Sequence, residues 1–149
     1  MAGQLVVSES VPVPLQVAPP AVSAAPDNRL AVLSAERTEV DSTAVVFRIL
    51  SSDGTVSEEL NLYEVPGDSH VSDMRLGSSD EHYYLAWIEH RGSASQIRAY
   101  VLETPAWTAT PIPPPQPPIE ISHIEAFDWR VSEGGLIWAF ASEQEGTSV

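Results

Sequence analysis

Four histidines, four tryptophans and a surplus of carboxylates are the residues of this chain whose chemistry extends beyond packing. Histidine ligates metals and moves protons near neutral pH. His82 and His90 lie in one strand-like run, HYYLAWIEH; they share a face but stand about 26 Å apart at roughly 3.3 Å per residue, too far to hold one ion. His70 and His123 each open a similar run, HVSDMRL and HIEAFDW, which predicts a structural role at strand entry. Glu58 with Glu59, Asp80 with Glu81, and Glu143 with Glu145 fall in turns or at strand ends, where solvated charges are expected and nothing sets glycosidase spacing. SSDG lacks the succession of acids of a calcium loop, no Gly-x-Ser-x-Gly elbow occurs, and the glycines are too scattered for a phosphate loop. Without cysteine there is no disulfide, no thiol nucleophile and no thiolate metal site. The expectation is a protein that is not an enzyme, with no catalytic residues, metal or cofactor. Trp87 and Trp138 fall within apolar strands and are expected in the core. Trp107 and Trp129 are the candidates for stacking on a ligand such as a sugar ring.

The charge balance narrows the partners. The 21 acidic residues face seven basic ones, all arginine, for a net charge of −14. Such a chain repels a phosphate backbone and has no basic cluster to displace counterions, so nucleic acid is not an expected partner. The same repulsion argues against an anionic membrane surface. No run reaches the roughly 18 apolar residues of a membrane span, and MAGQLVVSES has no basic, apolar signal pattern; a soluble chain is expected.

The elements that must position these residues read as strands throughout. RLAVLSAE and TAVVFRIL alternate around a polar turn at Asp41 and Ser42, Asp53-Gly54 marks a hairpin, and EELNLYEV alternates until Pro66-Gly67 breaks it. No stretch has helical periodicity, so the fold class is all-β with antiparallel sheets. The strand at residues 84 to 89 is apolar on both faces, with bulky Leu85 and Trp87 opposite smaller Ala86 and Ile88. The strand at residues 136 to 141 sets Leu136, Trp138 and Phe140 against Ile137, Ala139 and Ala141. Apolar residues on both faces predict a sheet buried on both sides, and large against small lets adjacent layers nest.

Three strand types recur in the same order. Leu30, Leu85 and Leu136 align at spacings of 55 and 51, FRILS and AYVLE at 52, and the two histidine-headed runs at 53. A period of this length resembles the blades of β-propellers, four-stranded antiparallel sheets stacked side by side, over residues 29–142. It is also similar to repeats of large bacterial surface and secreted proteins. The resemblance implies units of about 29–66, 70–118 and 123–149, too few to close a ring in one molecule. It therefore implies assembly from several copies, a two-layer sandwich, or a piece of a larger protein.

Residues 1–28 form the other region. Pro12, Pro14, Pro19, Pro20 and Pro26 forbid a helix and predict an extended arm, ahead of a β domain at 29–149. Proline has already restricted such an arm, so docking it costs little entropy. Leu5, Val6, Val7, Val11, Val13, Leu15 and Val17 are its candidate partner-binding residues, with Leu5 to Val7 suited to adding a strand to an open edge. A second proline cluster, Pro111 and Pro113 to Pro118, predicts a stiff crossover. The sequence thus predicts a structural protein of a large assembly, such as a virion decoration, cement or tail component. Its partners would be protein subunits, copies of itself included, and its location virion or extracellular. The alternative is a carbohydrate-binding, lectin-like propeller module, or a piece of a larger surface protein, with a glycan as ligand.

Overall fold

The computed structural model describes residues 17–79, 81–113, 124–132 and 135–142. They form strands and turns with no helix, as the period-two patterning predicts. The first sheet is a meander of β1 (Ala21–Ala25), β2 (Arg29–Arg37), β3 (Thr43–Leu50) and β4 (Val56–Val65). A second meander follows, of β5 (Ser69–Ser78), β6 (His82–Arg91), β7 (Ala94–Glu103) and β8 (Thr108–Ile112). β9 (Ile124–Ser132) and β10 (Gly135–Ser142) make an antiparallel hairpin, the third sheet. No barrel closes among the described strands.

Local chemistry sets the turns. Asp27 and Asn28 both take positive φ, 61° and 56°, and the Arg29 N–H closes the turn onto the Pro26 carbonyl at 3.4 Å; Asp and Asn tolerate this region best after glycine. Gly54, at φ 85°, closes the β3–β4 hairpin with its N–H 2.9 Å from the Ser51 carbonyl. Asp53 Oδ1 accepts from the Thr55 N–H at 3.0 Å and its hydroxyl at 2.7 Å. Pro66-Gly67 ends β4, and the Ser69 N–H reaches the Pro66 carbonyl at 2.9 Å where the chain steps to the second sheet. Residues 21–25, within the proline-rich segment, are extended as β1; Val17 continues beside β2, its N–H 3.0 Å from the Ala35 carbonyl.

The second sheet is covered on both faces. Tyr83, Leu85, Trp87 and Leu102 pack with Ala31, Leu33, Val45, Phe47 and Ile49 of the first sheet, while Ala86, Ile88, Ile97 and Ala99 pack with Ile124 and Phe127 of β9. This two-sided burial accounts for the absence of polar alternation in β6: each fully buried large side chain contributes about 1.5–3 kcal/mol, on either face. Ala86 and Ile88 follow Ala31 and Leu33 by 55 residues, and Ala99 follows Phe47 by 52. Each of these residues faces the sheet that comes next in the chain. The division expected for β10 falls on side chains outside those described.

Candidate functional site

Among the described residues two carboxylates are buried in strands, and each is answered by an arginine on the following strand. Glu89, 3% exposed in β6, accepts from Arg98 Nε at 2.5 Å and from Gln96 at 3.4 Å. The Arg98 guanidinium lies 4.6 Å over the Tyr63 ring, which meets Trp87 at 5.7 Å, and Trp87 stacks on Tyr100 at 5.5 Å. Burial works to raise the Glu89 pKa, but the bonds from Arg98 and Tyr63 and the arginine charge outweigh it and hold the carboxyl below its ordinary range. Burial, followed by the hydrogen bond to Glu89 and its charge, pushes the Tyr63 hydroxyl up to about 12. The group spans the seam between the first two sheets, since Tyr63 belongs to β4 and its partners to β6 and β7.

Glu36 is the counterpart on the first sheet. Both its oxygens accept from Arg48, which also donates through Nε to Glu59 at 2.7 Å, while the Ser34 hydroxyl donates to Glu36 at 2.6 Å. Burial again opposes ionisation, and the Arg48 and Ser34 bonds overcome it, so this carboxyl too lies below its ordinary value. Glu59, which the sequence suggests is solvated, is thus exposed but paired.

Among the described residues no three His, Cys, Asp or Glu side chains are placed to hold an ion. The His90 ring lies between the Ser72 hydroxyl at 2.6 Å and the Ser95 hydroxyl at 2.9 Å, and His70 stacks on it at 4.6 Å. His82 is 4.0 Å from Glu103, its partner across the β6–β7 pair. His123, Asp80, Glu143 and Glu145 lie outside the described residues.

Of the two candidate stacking tryptophans, Trp107 sits at φ 55° in the β7–β8 turn. That turn directs its indole against the main core, 6.0 Å from the Phe47 ring and 6.2 Å from Tyr83. Trp129 is half-buried, edge-on to Phe127 at 6.4 Å, and packs against the second core. The two indoles therefore belong to different seams. Val17 is exposed; the other candidate arm residues, Leu5, Val6, Val7, Val11, Val13 and Leu15, lie outside the described residues.

Sequence reasoning passes over Asp73. It occupies a bulge in β5 at φ 49°, where Oδ2 accepts the Phe127 N–H at 2.9 Å and Oδ1 faces Arg75 at 2.6 Å. Arg75 in turn lies 5.8 Å over the Phe127 ring. The bulge breaks the strand alternation and aims a carboxylate at the next sheet.

Clefts open at the sheet margins. β8 pairs only with Ala99–Glu103, so residues 94–98 of β7 have no strand on that side among the described residues. A cleft of about 240 Å³ lies there, between Gln96, Arg98 and Tyr100 on one side and Pro111, Ile112 and Pro113 on the other. A second, of about 260 Å³, lies where the β2–β3 and β4–β5 turns meet and is lined by Val17, Arg37, Asp41, Ser42, Pro66 and His70 among others. No family model, curated protein or solved structure matches the chain.

Proposed function

We propose that the chain is a non-enzymatic structural protein of a large assembly, such as a virion decoration or tail component, that binds neighbouring subunits through its proline-rich arm and open sheet edges. The observation that carries this reading is that the third sheet has two strands among the described residues. β2 and β6 each have a strand on both sides, whereas β10, at the repeat-equivalent position, pairs with β9 alone among the described residues. An unpaired edge is a template for another chain. The sheets are propeller-blade-like units in this reading, and a strand supplied by a neighbouring subunit would complete the third. The test is removal of residues 1–16, which leaves β1 in place. Incorporation into the native particle should be lost while the far-ultraviolet circular dichroism of the body is unchanged; normal incorporation would refute the arm's part.

A second reading, a glycan-binding module, is favoured by the cleft of about 260 Å³ with Arg37, Asp41, Ser42 and His70 at its walls. Polar groups around an apolar floor suit a polyhydroxylated ligand. It stands apart from Trp107 and Trp129, so a glycan-array hit abolished by Asp41→Ala but not by Trp129→Ala would support it, and an empty array would remove it.

A further inference from the structure

The cleft of about 260 Å³ is built by two turns that their own hydrogen bonds hold in place. In the β2–β3 turn the Thr38 N–H donates to the Ser42 carbonyl at 2.7 Å, the Asp41 N–H donates to the Thr38 carbonyl at 3.1 Å, and the Thr38 and Ser42 hydroxyls meet at 2.7 Å. Asp41 sits there at φ 59°, its carboxylate 3.3 Å from Arg37 Nε. The β4–β5 turn, closed by the Ser69 N–H on the Pro66 carbonyl at 2.9 Å, supplies much of the remaining wall. Val65 and Val71, both buried, add apolar surface. Walls fixed before a ligand arrives spare it the ordering cost of binding.

The polar groups of the cleft are largely unused by the fold. Among the described residues Arg37 meets Asp41 through Nε, and its terminal nitrogens take no partner, although the side chain is only 52% exposed. The Ser69 hydroxyl, at the cleft wall, is buried without a hydrogen-bond partner among the described residues. A group of that kind in a folded protein calls for an explanation. Thr43 adds a second hydroxyl, and His70, fixed by its stack on His90 at 4.6 Å, completes the lining on that side. Donors therefore outnumber acceptors, and the charged acceptor on the wall is Asp41.

A guanidinium with its terminal nitrogens free takes a planar carboxylate through two parallel bonds. An ionised Asp41 can only accept, which suits ligand hydroxyls and rejects a second carboxylate. A volume of about 260 Å³ falls below the roughly 300–1,000 Å³ of pockets for drug-sized ligands, so the cleft has room for one ring. The net charge of −14 does not forbid an anion here, because salt screens distant charges beyond roughly 8 Å and the contacting groups decide. We propose that this cleft binds a uronic acid, a sugar ring bearing one carboxylate. The carboxylate meets Arg37, ring hydroxyls meet Asp41 and Ser69, and the apolar face of the ring lies against Pro66. This rests on the glycan reading of the cleft and names the class of sugar.

Isothermal titration of the full chain with glucuronate, galacturonate, glucose, galactose and acetate tests this. At least one uronate should bind, with its uncharged counterpart roughly ten- to a hundredfold weaker, the worth of one charge-assisted pair. Arg37→Gln should erase that preference without altering the circular dichroism, since Arg37 is half exposed. Ser69→Ala should weaken uronate binding yet leave the unfolding midpoint unchanged or higher, because the hydroxyl it removes bonds to nothing in the fold; a serine with a purely structural role would move the midpoint and not the affinity. Equal affinity for glucose and glucuronate, or a preference that survives Arg37→Gln, would overturn the proposal and leave the glycan reading standing. Acetate binding as tightly as the uronates would overturn it too, since the ring would then contribute nothing. Failure of every sugar to bind would also overturn it, whereas the glycan reading falls only with an empty array.

Discussion

Between the first and second sheets lie Trp87, Phe47, Tyr83, Leu33 and Leu102; between the second and third lie Ala86, Ile88, Ala99, Ile97 and Phe127. One strand, β6, contributes to both, Tyr83, Leu85 and Trp87 to the earlier seam and the smaller Ala86 and Ile88 to the later. The earlier seam is held by apolar volume and aromatic contact, with Glu89 and Arg98 neutralised inside it. At the later seam Asp73 reaches across to the Phe127 N–H. The two seams are thus held by different chemistry, and each can be opened locally by removing its own contacts.

Substitutions sharpen this contrast. The largest effect is expected from Trp87→Ala, which empties the earlier seam and should cost about 3–5 kcal/mol in denaturant unfolding. Glu89→Ala, leaving Arg98 without its carboxylate, should cost about 1.5–3 kcal/mol. Its pH dependence has a definite sign. The Glu89 and Glu36 carboxyls are lowered below the ordinary 4.5, so their stabilisation is full above that pH and is lost as pH falls through the folded-state values. Acid titration of the variant should show a shallower loss of stability below pH 4.5 than the parent. Asp73→Ala should cost about 1–2 kcal/mol and act on the later seam, raising hydrogen exchange of β9 amides while β2 and β3 stay protected. The smallest effect is expected from Trp87→Phe. The indole Nε1 is buried without an acceptor among the described residues, so removing that donor offsets part of the lost volume and the net change should stay below about 1.5 kcal/mol.

Much of this contrast is legible in the sequence. The bulky and small faces of residues 84 to 89 announce a strand covered on both sides, and Asp53-Gly54 and Pro66-Gly67 mark their turns because few other pairs serve there. What escapes is long-range. Glu89 reads as a charge in need of solvent until Arg98 and Tyr63 arrive from other strands. Asp73 looks like an ordinary strand residue because a bulge has no pattern of its own, and Trp107 looks available until its left-handed backbone turns it inward. β1 is masked by surrounding prolines, and only the Asp27-Asn28 turn hints that the chain doubles back. Of the expected site, Val17 is placed beside β2, whereas the remaining arm positions lie outside the described residues.

The proposed assembly has a neighbouring subunit add a strand beside β10, and hydrogen exchange at the β10 backbone, followed as protein concentration is raised, tests this most directly. Protection of alternate β10 amides should climb with concentration and fall back when residues 1–16 are removed. Protection that is complete at the lowest concentration and indifferent to dilution would contradict the account.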